Sequence, residues 1–105
     1  MFGSHTKSEF EAAFRTFFEG CKRITKDHYK QQQFANKDDS WDDQWLKKRV
    51  RVKRDGGAHC FVDYETGDVL KAASWAEPAK HARGNIYDAD NGLGKMGPYG
   101  PAYLR

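Results

Sequence analysis

Apolar residues recur at spacings of three and four between residues 8 and 30, a pattern typical of an amphipathic helix. The stripe consists of Phe10, Phe14, Phe17, Cys21, Ile24 and His28, with Phe18 on its flank. Two capping boxes fit its start, one from Thr6 to Glu9 and one from Ser8 to Glu11. We therefore predict a long helix within residues 1–30. We expect its Phe stripe to pack on a sheet rather than to form a partner-binding face.

The pattern is lost in residues 31–46, which we interpret as a connection. Within it, Ser40 is placed to cap a short helical turn. Trp41 and Trp45 would share one face of that turn, because they are four residues apart.

Apolar and polar residues alternate after residue 46, which predicts three strands at 47–54, 58–64 and 69–72. Turn-forming residues separate them at 55–57 and 65–68, and Gly67 suits a backbone with positive φ. The sequence therefore predicts a three-stranded antiparallel meander over residues 47–73. Its apolar face needs the helix as a cover.

A second, short helix is predicted over residues 74–84. Ser74 and Glu77 have capping-box spacing, Pro78 is tolerated in a first helical turn, and Gly84 would end the helix. Residues 85–105 are rich in Gly and Pro, so we expect an irregular tail. The predicted fold class is α+β. A long helix would cover a three-stranded meander, with a short second helix, in a single domain of 105 residues.

Positive charge is concentrated in one segment. Residues 1–46 hold 7 basic and 8 acidic side chains, residues 47–54 hold 6 and 0, and residues 55–105 hold 5 and 7. The predicted first strand thus supplies the whole excess behind the net charge of +3. Because side chains alternate along a strand, Arg49, Arg51 and Lys53 would line one face while Val50 and Val52 point to the core.

A row of cations about 6.5–7 Å apart matches the phosphate spacing along one nucleic-acid strand. Arg49 and Arg51, with Lys47 and Lys53, are therefore candidates for binding nucleic acid or another polyanion. Two alternatives stay open. The strand can lie at the edge of the sheet, where its charges prevent it from pairing with a strand of another chain. Its cations can also be neutralised across strands by Asp63, Glu65 or Asp68.

A second basic group consists of Lys80, His81 and Arg83. Trp75 and Tyr87 lie close to it in sequence and are candidates for base stacking, since a positive groove with aromatic rings is typical of single-strand binders. In the alternative interpretation Trp75 closes the core and the three basic residues are merely exposed.

Catalysis and metal binding have little support in the sequence. It contains no P-loop, nucleophile elbow or metalloprotease helix, so we expect no enzyme activity and no cofactor. Residues 88–99 fail as a calcium loop, because Tyr99 stands where a bidentate Glu is required. Cys21 and Cys60 lack zinc-type spacing.

The expected compartment is a cytosol. No run of about 18 apolar residues predicts a membrane span, and no signal peptide is recognised. In a reducing cytosol Cys21 and Cys60 are most simply two buried thiols, and a disulfide stays open for an oxidising compartment.

Residues 60–86 and 100–105 contain short segments that resemble a group of small uncharacterised proteins encoded by bacteriophages and large DNA viruses. The similar segments are residues 60–63 (CFVD), 66–71 (TGDVLK), 74–75 (SW) and 78–86 (PAKHARGNI), with the closing GPAYLR at 100–105. The resemblance implies a virus-encoded protein in the cytoplasm of an infected host cell. It carries no catalytic or binding role, because none is established for that group.

We therefore expect a non-enzymatic, virus-encoded accessory protein that binds nucleic acid or another polyanion through its basic strand, with little sequence preference. The alternative is a module that docks on a host or virion protein. Its anchors would be exposed aromatic and apolar residues, namely Trp41, Trp45, Tyr99, Tyr103 and Leu104.

Overall fold

The protein is described by a computed structural model in which residues 2–31, 39–98, 100 and 101 are placed. These residues form one long helix, α1 (Lys7–Gln31), followed by strands. The strands are β1 (Trp41–Trp45), β2 (Arg49–Arg54), β3 (Gly57–Asp63), β4 (Asp68–Ala72), β5 (Pro78–Asn85), β6 (Met96–Gly97) and β7 (Gly100–Pro101). Strands β1 to β5 form an antiparallel sheet in chain order, and β6 pairs with β7.

The helix begins at the first of the two candidate capping boxes. The backbone N–H of Thr6 donates to Glu9 Oε1 at 2.7 Å, and the N–H of Glu9 donates to Thr6 Oγ1 at 3.1 Å. Each side chain thus satisfies a backbone donor that the first helical turn leaves free. The hydrogen bond from the Thr6 backbone also lowers the pKa of Glu9.

The Phe stripe of α1 packs on the sheet, as the spacing predicts. Phe10, Phe14, Phe17 and Cys21 are buried, and the stripe continues through Thr25 and Tyr29, while Ile24 and His28 are only half-buried. Opposite the helix, the sheet contributes buried apolar residues: Val50, Val52, Cys60, Val62 and Val69. One core therefore lies between α1 and the sheet.

The other side of the sheet is called the open face here, because α1 does not cover it. Directly paired residues of neighbouring strands share a face. The open face is therefore built from Asp42, Gln44, Arg49, Arg51, Lys53, Phe61, Asp63, Leu70 and Ala82. The expected alternation of β2 is confirmed, since Val50 and Val52 are fully buried under the helix.

The predicted three-stranded sheet is wrong: the main sheet has five strands. Its first additional strand is β1, which lies where we expected a connection with a helical turn. A spacing of four puts Trp41 and Trp45 on one face of a helix, but it also puts them on one face of a strand. Pairing with β2 decides between the two, since as strand residues both indoles reach the rings of α1.

The predicted second helix over residues 74–84 is also wrong. Residues 73–77 form a loop, and β5 (Pro78–Asn85) follows as the edge strand beside β4. The hydroxyl of Ser74 does accept the backbone N–H of Glu77, at 3.2 Å, but Ser74 N–H also donates back to the Glu77 carbonyl. That reciprocal pair closes a hairpin loop instead of starting a helix. Pro78 is tolerated as the first residue of an edge strand.

The tail is partly ordered, because β6 and β7 form a short ribbon where we expected irregular structure. The ribbon lies against α1, β3 and β4. The carbonyl of Pro98 accepts hydrogen bonds from the Thr25 hydroxyl, at 3.1 Å, and from Arg54 Nη1. Three anchors of the protein-docking alternative, Tyr99, Tyr103 and Leu104, lie outside the described residues.

Candidate nucleic-acid interface

Strand β2, the neighbour of the edge strand β1, carries Arg49, Arg51 and Lys53 on the open face. The flanking strands, β1 and β3, place an acidic, a polar or an apolar residue opposite each of these cations. Arg49 pairs with Asp63 of β3, Arg51 with Gln44 and Phe61, and Lys53 with Asp42. The three cations therefore differ in how far the protein itself neutralises them.

Arg51 is the central residue of the interface and is fixed by neutral groups. Its Nε donates to the carbonyl of Trp75 at 2.9 Å, and its Nη1 donates to Gln44 Oε1 at 2.6 Å. Its Cζ lies 4.1 Å from the centroid of the Trp75 ring and 5.6 Å from that of Phe61. No carboxylate of the described residues pairs with it, so the guanidinium keeps its net charge although only 6% of the residue is exposed.

The loop that carries Trp75 lies over the open face. Ala73 and Ser74 donate their N–H groups to the Glu77 carbonyl, and Arg51 holds the Trp75 carbonyl. The Trp75 side chain nevertheless remains 47% exposed. Trp75 therefore does not close the core, because its ring covers Arg51 and faces solvent.

Arg49 has no partner among the described residues. Its Nε is buried without a hydrogen bond, and no carboxylate forms an ion pair with it. Asp63, directly opposite, already accepts the backbone N–H groups of Glu65 and Thr66 through Oδ1. An unsatisfied donor on a half-buried cation is costly, so an external acceptor that reached the Arg49 guanidinium would bind favourably.

The remaining cations of the basic segment lie in other environments. Lys53 is half-buried and forms an ion pair at 3.4 Å with the exposed Asp42. A pair with one exposed partner contributes little to stability, and a ligand can replace Asp42 in it. Lys47 is exposed in the turn between β1 and β2, at the end of the strand. Arg54 points to the helix side, where it pairs with Asp39.

The second basic group lies on the edge strand β5 rather than on a helix. Lys80 and His81 are exposed there, shortly after the Trp75 loop. Arg83 is buried, and its Nη1 donates to the carbonyl of His81. Lys80 and His81 are thus available to a ligand, whereas Arg83 takes part in the packing of the edge strand.

Tyr87 does not belong to this interface. Its ring stacks on His5, with centroids 3.6 Å apart, and packs against the helix-side core. Burial and the nearby charge of Glu9 raise the pKa of its hydroxyl. The structure therefore places the two stacking candidates, Trp75 and Tyr87, on opposite faces of the sheet.

The two tryptophans of the protein-docking alternative also lie on the helix side. Trp41 contacts Phe18 and His59 edge-on. Trp45 stacks on Tyr64, donates to Asp43 Oδ2 at 2.7 Å, and remains 37% exposed. Trp45 borders a groove of about 400 Å³ whose other lining residues are Ser8, Glu11, Ala12 and Arg15.

Two residues of the interface are absent from the sequence prediction. Gln44 falls within the predicted connection, so the pattern gives no reason to expect its hydrogen bond to Arg51. Phe61 follows from alternation, since its neighbours Cys60 and Val62 point to the helix. That signal places Phe61 on the open face, but it does not show that the ring is fully buried there with the Arg51 guanidinium over it.

In the part of the chain that the structure describes, no three His, Cys, Asp or Glu side chains cluster closely enough to hold a metal ion. The same residues include no helix with the length and apolar character needed to span a bilayer. Cys21 and Cys60 are free, buried thiols in contact across the helix–sheet core.

The sequence profile of a family described as a family of unknown function, DUF7717, matches residues 11–96. No curated protein matches the chain, and no solved structure does.

Proposed function

We propose that this chain, which belongs to the DUF7717 family of unknown function, is a non-enzymatic protein that binds nucleic acid on the open face of its sheet. One observation carries the proposal. Arg49 and Arg51 lie two residues apart on β2, and no carboxylate of the described residues pairs with either of them.

The spacing of these arginines suits a phosphate backbone. Alternate residues of a strand are about 6.5–7 Å apart, close to the distance between successive phosphates of one strand. Guanidinium groups bind phosphate oxygens through two parallel hydrogen bonds. Lys53 adds a third cation once Asp42 is displaced. Lys80 of β5, two residues from Ala82 and therefore on the same face, adds a further exposed cation.

The binding would be driven by the release of counterions. Each neutralised phosphate lowers the slope of log affinity against log salt by about 0.7 for a single strand and about 0.9 for a duplex. Contacts to the backbone alone carry no sequence information, so we expect affinity without strong sequence preference.

The test is a titration of labelled oligonucleotides, read by fluorescence anisotropy at several salt concentrations. Arg49→Gln is the variant, and Arg23→Gln is its matched control. Arg23 is exposed on α1, on the far side of the sheet, and its replacement removes the same charge. We expect Arg49→Gln to weaken binding and flatten the salt slope by about 0.7–0.9, with Arg23→Gln close to wild type.

The proposal fails if wild-type protein shows no binding at low salt. It also fails if Arg23→Gln and Arg49→Gln weaken binding equally, since the net charge of the whole protein would then explain the affinity.

A second candidate function is docking on another protein, with the groove beside Trp45 as the contact surface. Its support is narrower, because Trp41 and most of Trp45 pack against the protein's own rings. The viral origin and host-cytoplasm location implied by the resemblance stay predictions.

A further inference from the structure

The Trp75 indole is an exposed aromatic ring attached to a rigid support. Its backbone carbonyl is held by Arg51 Nε, and the hydrogen bonds between residues 73, 74 and 77 close its loop. Its ring covers the Arg51 guanidinium, whose Cζ lies 4.1 Å from the ring centroid, and 47% of the residue remains exposed. A ring held in this way is presented to solvent in a defined orientation.

Fixing a side chain before binding lowers the entropy that binding must overcome. A flat ring with an adjacent cation is also the arrangement on which unpaired bases stack, since every base presents a π-face. Arg51 contributes to the same stack, because guanidinium groups pack on aromatic planes.

Phosphate-binding groups lie beside this ring. Arg51 uses Nε and Nη1 for its hydrogen bonds within the protein, while its Nη2 has no acceptor among the described residues. Arg49 is two residues away along β2 and has an unpaired Nε. Base-stacking and phosphate-binding groups are therefore within the span of one or two nucleotides.

We propose that the occupant of the open face is single-stranded nucleic acid, with one base stacked on Trp75 and its neighbouring phosphates held by Arg49 and Arg51. A duplex does not fit this arrangement, because its bases are already stacked on one another and their faces are inaccessible. This inference rests on the proposed function. It adds that the nucleic acid is single-stranded and that Trp75 is the residue on which a base stacks.

The experiment compares three ligands of equal length: a thymidine homopolymer, the corresponding abasic strand, and a duplex. Each is titrated against wild type, Trp75→Leu and Trp75→Phe, with a uridine homopolymer as the RNA counterpart. Phe keeps an aromatic face, whereas Leu keeps only apolar bulk. Circular dichroism and thermal melting verify that each variant is folded.

We expect wild type to bind the thymidine strand about 5- to 140-fold more tightly than the abasic strand, the range for stacking of one base. Trp75→Leu should lose that preference and bind both strands alike, and Trp75→Phe should retain most of it. The uridine strand should behave like the thymidine strand, because stacking does not read the sugar.

The inference and the proposed function fail separately. If wild type binds the abasic strand or the duplex as tightly as the thymidine strand, stacking is refuted while phosphate binding stands. That comparison needs no variant, so it holds even if Trp75→Leu fails to fold. If no ligand binds at low salt, the proposed function fails together with the inference.

Discussion

Asp39 and Arg54 form an ion pair under the C-terminal half of α1, with 3.2 Å between Asp39 Oδ2 and Arg54 Nε. The Asp39 side chain is 2% exposed and that of Arg54 is 18% exposed. The hydroxyl of Tyr29 donates to the same carboxylate oxygen at 2.8 Å. Through Asp39, the last turns of α1 are therefore joined to the end of β2, on the helix side of the sheet.

Replacement of Asp39 by Asn should destabilise the fold by about 3 kcal/mol, because it leaves the Arg54 charge buried without its carboxylate. Urea unfolding followed by circular dichroism measures the change. Asp42→Asn is the control, since it removes the exposed carboxylate that pairs with Lys53 and should cost less than about 1 kcal/mol. Equal losses in the two variants would show that the buried pair has no special role.

His59 should make the protein less stable in mild acid. Burial, with the charges of Arg54 and Lys71, lowers its pKa to about 4, below the ordinary value of 6.5. Between pH 6.5 and about 4, His59 is therefore protonated in the unfolded chain but neutral in the folded protein. Neutral His59 therefore makes its full contribution to the free energy of unfolding above pH 6.5. As the pH falls from 6.5 to about 4, the free energy of unfolding should decrease by about 3 kcal/mol.

Denaturant unfolding between pH 7 and pH 4 tests this for wild type and His59→Gln. The variant lacks the titrating group, so its stability should fall less over this range. His81→Gln, on the exposed part of β5, should keep the wild-type pH dependence. Identical pH profiles for wild type and His59→Gln would contradict the assignment.

Cys21 and Cys60 should resist thiol reagents in the folded protein. Burial raises the pKa of the Cys60 thiol, and contact with Cys21 raises it further, so little thiolate forms at pH 8. We expect a disulfide reagent to label neither thiol in buffer and both in urea. Lys26→Cys, exposed on α1, supplies a thiol that should react at once. Rapid labelling of the wild type without denaturant would show that the core opens readily.

Gly67 should tolerate Ala poorly, because it has φ +76° and a Cβ there would lie 2.7 Å from the Tyr87 ring. Gly56 shares the positive φ, at +82°, but its Cβ would meet open space. Gly56→Ala should therefore cost about 1 kcal/mol for the backbone alone, and Gly67→Ala about 2 kcal/mol or more. Thermal unfolding of both variants measures the difference. Similar losses would mean that the Tyr87 ring moves aside freely.

The local elements were predictable where pattern and turn chemistry agree. Helix α1 has a long apolar stripe and a capping box, and β2 and β3 alternate around Asp55 and Gly56. Both of these turn residues adopt positive φ, as hairpin turns of this length require. For such segments the sequence specifies the local structure on its own.

The outer strands were not predictable, because their signals fit two structures. The spacing of Trp41 and Trp45 suits a helix or a strand, and the Ser74 and Glu77 pair closes a loop as readily as it caps a helix. Tertiary pairing with β2 and β4 decides both cases. The contacts of Arg51 were unpredictable for the same reason. Gln44 reaches Arg51 only because β1 is a strand, and the Trp75 carbonyl reaches it only because β4 and β5 form a hairpin.

The most direct test of the nucleic-acid interface is a map of backbone amide shifts in isotope-labelled protein titrated with a thymidine homopolymer. We expect perturbations in β2, in residues 73–77 and along the exposed part of β5, with the outer face of α1 unchanged. Perturbations centred on the groove beside Trp45, or none at all at low salt, would contradict it.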